Sequence, residues 1–88
     1  MRITAELSLY PLQDDFTGPI KAFIHELRRQ PGIEVVTNQL STQLRGEFEA
    51  VTGAVNACLK VAMTGEQPVV LVAKYVGADL PIATLPSV

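Results

Sequence analysis

Few residues in this chain of 88 could carry covalent or proton-transfer chemistry. Its one imidazole, His25, falls beside Lys21 and Arg28 on the polar side of a candidate helix. No carboxylate is spaced to orient it, so it reads as a solvated surface side chain. The one thiol, Cys58, lies on an apolar stripe and reads as a small core hydrophobe rather than a nucleophile. A lone cysteine closes no internal disulfide, and without a CxxC pair or a second histidine the sequence offers no metal cage. Groups suited to binding are more numerous. Asp14-Asp15 reads first as a helix-capping pair, and otherwise as two like charges sharing a pocket. Tyr10, at a strand end, suits interface packing and ligand stacking equally. Ser41-Thr42 has the composition of a hairpin link, and Lys74, Glu6 and Arg45 could form a charged row that reads as an interface ion-pair network rather than a ligand clamp.

The elements that would position these residues follow from periodicity. Ile3, Ala5, Leu7 and Leu9 alternate with Thr4, Glu6, Ser8 and Tyr10, the pattern of a strand with one buried face, and Pro11 ends it. Phe16, Ile20, Phe23, Ile24 and Leu27 recur at helical spacing up to Arg29, with Asp14, Asp15 and Thr17 as N-cap candidates and Pro19 in the first turn. Gln30-Pro31-Gly32 closes that helix. Residues 33–38 and 42–47 read as short strands joined by a hairpin link at 39–41. Phe48, Val51, Val55, Cys58, Leu59 and Ala62 give a second amphipathic helix, for which Gly65 is placed as a left-handed cap. Residues 69–76 form the most β-branched stretch.

Strand, helix, strand, strand, helix, strand is the order of the ferredoxin-like sandwich, an α+β fold with a four-stranded antiparallel sheet and two helices on one face. The other face would be bare. It would carry Thr4, Glu6, Ser8 and Tyr10 with Val70, Val72, Lys74 and Val76, and three valines are too many for water alone. An exposed apolar strip with a polar rim marks an interaction surface, so two sheets are expected to stack there as a homodimer, with a tetramer also open. The tail, residues 77–88, is expected to be irregular, either laid along the surface or disordered.

Composition narrows the partners. Seven Lys and Arg against nine Asp and Glu, a net charge of -2, lack the basic footprint that holds phosphate backbones. No apolar run is long enough to span a bilayer, and the first residues alternate rather than form a signal sequence, so a cytoplasmic protein without membrane or nucleic-acid partners is expected. A chain of this length folds as one domain and buries only about 60–65% of its unfolded surface, which favours oligomerisation.

Three stretches carry a family resemblance: Ser8-Leu9-Tyr10-Pro11-Leu12 with Asp14-Asp15-Phe16, Leu40-Ser41-Thr42 with Arg45-Gly46, and Val55-Asn56-Ala57-Cys58-Leu59. Together they resemble the YkoF-type family that binds thiamine and its hydroxymethylpyrimidine moiety. The resemblance implies a ferredoxin-like fold, non-catalytic ligand capture without metal or cofactor, and a pocket built from Ser8, Tyr10, Asp14, Asp15, Ser41 and Thr42. The family's namesake carries two such domains in tandem, so here a homodimer would reproduce the pairing.

With strands one and three taken as parallel neighbours, Tyr10 and Ser41-Thr42 would lie at opposite ends of the sheet, about 20 Å apart at ~3.3 Å per residue. A single pocket would then need two subunits, Tyr10 and Asp15 of one approaching Ser41 and Thr42 of the other. An ACT-like regulatory domain that binds amino acids and a dimeric α+β barrel enzyme share the topology. The first would use backbone groups after strand one, and the second would want a His, Trp or Asn constellation that the chain does not supply.

Overall fold

The computed structural model describes residues 1–88. Its six elements are β1 (Arg2–Pro11), α1 (Thr17–Arg29), β2 (Ile33–Thr37), β3 (Thr42–Glu47), α2 (Phe48–Ala62) and β4 (Val69–Val76). They form the α+β ferredoxin-like arrangement, one sheet in the order β2-β3-β1-β4 with every neighbouring pair antiparallel. The expected parallel pairing of the first and third strands is therefore wrong. A right-handed crossover makes β1 parallel to β2, and β3, inserted between them, runs against both.

Alternation in β1 buries Ile3, Ala5, Leu7 and Leu9 under the helices. Leu27 of α1, Leu44 of β3 and Val51 of α2 meet them in the core, each without exposed surface. Helix α1 ends as its apolar stripe ends. The Gln30 N–H donates to the Leu27 carbonyl, Arg28 and Arg29 sit at the negative end of the helix dipole, and Gly32 turns the chain into β2 at φ +78°.

Two capping expectations fail. Phe16 occupies the N-cap position of α1 with no side-chain hydrogen bond, so neither Asp14, Asp15 nor Thr17 caps the helix. Helix α2 ends at Met63, still in right-handed geometry, and Gly65 does not adopt a left-handed conformation.

The face away from the helices carries Val70, Val72 and Val76, each between 40% and 49% exposed, and Tyr10. The tail crosses one end of this face. The Thr4 hydroxyl donates to the Ala78 carbonyl (2.7 Å) and accepts from the Leu80 N–H (2.9 Å), which leaves Thr4 buried. Asp79 pairs with Arg2 at 2.9 Å, and Arg45 donates to the Leu80 carbonyl at 2.9 Å. Lys74 and Glu6 form their half of the expected charged row at 3.3 Å. Arg45 does not complete it, because Glu34 on β2 (3.1 Å) and Asp79 on the tail (3.8 Å) hold its guanidinium on the far side.

Candidate functional site

Strand β1 is longer than its neighbour. Its pairing with β3 stops at Leu7 opposite Thr42, whereas its pairing with β4 continues to Pro11 opposite Val69. Beyond Leu7, the β2–β3 hairpin turns away through Asn38, whose N–H donates to the Ser41 carbonyl at 3.0 Å. Asn38 Oδ1 accepts from the N–H groups of Leu40 (2.9 Å) and Ser41 (3.1 Å), an Asx-type closure of the turn. A cleft of about 290 Å³ is left between the overhang of β1, residues 37–42 of the hairpin, and Phe16, Ile20, Phe23 and Ile24 of the α1 region.

Of the six residues expected at the site, Ser8, Tyr10, Ser41 and Thr42 line this one cleft. Asp14 and Asp15 do not. Both are exposed on the β1–α1 loop, where Gln13 Nε2 donates to the Asp15 carbonyl at 2.7 Å and the Phe16 N–H to the Asp14 carbonyl at 3.2 Å. The predicted separation of Tyr10 from Ser41-Thr42 disappears with the antiparallel register, and one subunit supplies both motifs to a single cavity.

Successive strand residues face opposite ways, which separates the roles of Ser41 and Thr42. Thr42 turns toward the helices, is buried, and has its hydroxyl 3.0 Å from that of Thr37. Ser41 turns to the open face, where its hydroxyl donates to Glu6 Oε2 (3.0 Å) and accepts from Gln43 Nε2 (2.7 Å). That hydrogen bond, and then Lys74, hold the Glu6 carboxyl below its ordinary pKa. The cleft thus meets an ordered polar chain at its rim, Lys74 to Glu6 to Ser41 to Gln43. Tyr10, about half exposed, and the outward-turned Phe16 and Leu40 stand as apolar groups at the mouth.

The apolar wall from α1 and the contributions of Thr37 and Asn38 were not singled out from sequence. Correct strand polarity was the missing signal, since it brings the hairpin to the same end of the sheet as the α1 N-terminus. A smaller cavity of about 140 Å³ lies between the helices beside Cys58 and Glu26. Burial, and then Glu26, push the Cys58 thiol up, which keeps it protonated. His25 is exposed, and no three His, Cys, Asp or Glu side chains converge.

The sequence matches the YkoF-related family over residues 2–77. The chain belongs to that family. No curated protein matches it. Among solved structures this YkoF-related chain is similar to a Streptococcus pneumoniae protein (TM-score 0.82, 24% identity, 91% of this chain and 90% of that one). It is also similar to a hypothetical protein of Methanocaldococcus jannascii (0.77, 21%, 89% and 81%). A third is a Thermotoga maritima protein proposed to act in thiamine biosynthesis or salvage (0.75, 17%, 98% and 90%). At these identities the likeness establishes the fold.

Proposed function

We propose that this YkoF-related protein is a non-catalytic carrier or sensor that captures thiamine, or its hydroxymethylpyrimidine moiety, in the cleft at the end of β1. The observation that carries the reading is the convergence of both sequence motifs on one cavity, with Tyr10 and Ser8 on one side and Ser41 and Thr42 on the other. Its volume, about 290 Å³, is at the small end of ligand sites and suits a single-ring heterocycle. A flat ring stacks on Tyr10, lies against Phe16 and Ile20, and meets few polar groups, the usual composition of a site for equilibrium binding. Family membership and the thiamine assignment of the Thermotoga maritima protein favour this ligand class. Asp14 and Asp15 have no part in the pocket. The open face beside Ser8 and Tyr10 is closed by a second copy, which places the cleft near a subunit seam.

Isothermal calorimetry with thiamine and with hydroxymethylpyrimidine tests the reading. Heat of binding is expected for at least one, and silence for both at millimolar ligand removes it. Tyr10→Ala should weaken binding about tenfold through lost stacking, and Thr42→Ala should also weaken it, both with an unchanged circular dichroism spectrum. Unaltered affinity in both variants would place the site elsewhere.

A further inference from the structure

The register of β1 leaves one residue with its main chain facing the cleft. The Leu12 N–H donates to the Pro68 carbonyl and the Phe48 N–H to the Met1 carbonyl, which fixes the direction of every peptide between them. Even-numbered residues of β1 turn their N–H and C=O toward β4, and odd-numbered residues turn theirs toward β3. Ile3, Ala5 and Leu7 are accordingly paired with Gly46, Leu44 and Thr42. Leu9 is the next odd position. In an uninterrupted ladder it would meet Leu40, but Leu40 sits in the turn and spends its N–H on Asn38 Oδ1. On the other side Leu9 stands opposite Leu71 in a pair that exchanges no hydrogen bonds. The Leu9 N–H and C=O therefore have no partner within the chain, although Leu9 is only 7% exposed and lines the cleft. Main-chain polar groups of a folded chain are almost always paired, so a donor and acceptor left side by side on the wall of a cleft are open to a partner from outside.

We propose that the main chain of Leu9 is the recognition edge of the cleft, selecting a heterocycle that carries an acceptor nitrogen next to an amine, as a 4-aminopyrimidine does. The inference rests on the pyrimidine-binding reading above and adds the atoms that discriminate. The ring nitrogen accepts from the Leu9 N–H and the exocyclic amine donates to the Leu9 carbonyl, so the ligand extends the sheet where β3 stops. Ser41 works in the same direction at the rim. Its only proton is committed to Glu6, so what it has left for a ligand is a lone pair.

Amide hydrogen exchange followed by NMR tests the assignment on the unmodified protein. Without ligand, the Leu9 amide should exchange far faster than those of Ala5 and Leu7. With saturating 4-amino-5-hydroxymethyl-2-methylpyrimidine it should become protected, by more than any general slowing at Ala5 and Leu7, and its proton should shift downfield. The same pyrimidine lacking the 4-amino group should bind ten- to a hundredfold more weakly, because the carbonyl is buried without a partner. A Leu9 amide as protected as that of Leu7 in the free protein would overturn the assignment. So would calorimetric binding of the aminopyrimidine that leaves Leu9 unchanged, with the binding function itself still standing. Silence of the aminopyrimidine and of thiamine alike would remove both.

Discussion

Single residues in the resemblance motifs divide between binding and building. Tyr10 and Ser41 offer side chains to the cleft or its rim, while Gly46 serves the fold. Glu6 links the rim to the rest of the open face, and its charge has a measurable consequence. Its folded pKa lies below the ordinary 4.5 because Ser41 and Lys74 stabilise the carboxylate. A lowered folded pKa means that the stabilising contribution is complete above the unfolded value and is lost as pH falls through the folded one. Denaturation midpoints followed from pH 6 downward should therefore decline less steeply below about pH 4.5 in Glu6→Gln than in the native protein. Identical acid limbs would show that the Ser41 and Lys74 contacts are not held in solution.

At the scale of elements, the close approach of β3 to the turn after α1 decides which substitutions the scaffold accepts. A Cβ at Gly46 would fall 2.7 Å from the Gly32 carbonyl oxygen and 3.4 Å from Ile33 Cγ2. The first obstacle is main chain and cannot swing aside. Gly46→Ala should cost about 1–3 kcal/mol in urea denaturation. Gly53 lies on the exposed side of α2, and a methyl group there would meet no atom within 4 Å. Gly53→Ala should stabilise by about 0.5–1 kcal/mol, since alanine loses less backbone freedom on entering a helix. Equal effects at the two glycines would contradict this packing. The overhang of β1 is the other decisive feature, because a β3 two residues longer would fill the cleft with its own ladder.

For the whole molecule, the open face is only partly covered. The tail closes the Thr4 end through its hydroxyl and the Asp79 ion pair with Arg2, while Tyr10, Val70 and Val72 stay exposed at the other end. The remaining apolar strip borders the cleft and surrounds the Lys74–Glu6 pair, a surface that a second sheet can stack on with its own charges matched. Light scattering after gel filtration should give about twice the 9.5 kDa chain mass, and Val72→Lys should return the protein to a monomer. A native protein that elutes as a single chain would leave this face without its proposed cover.

Sequence alone determined the six elements, the buried side of β1 and the fold, because hydrophobic periodicity records which side of each element leaves water. Helix ends were less legible. Asp14, Asp15 and Gly65 have the right chemistry for caps, but the backbone around them turns otherwise, and no local pattern records that. The family motifs pointed to Ser8, Tyr10, Asp14, Asp15, Ser41 and Thr42, whereas only strand polarity, a property of the closed sheet, decided that four of these meet in one subunit while the two aspartates stay outside the cleft. The unpaired main chain of Leu9 was beyond any reading of side chains. It exists because two strands of unequal length pair in one register, and hydrogen-bond direction is set by the partner strand rather than by the residue itself.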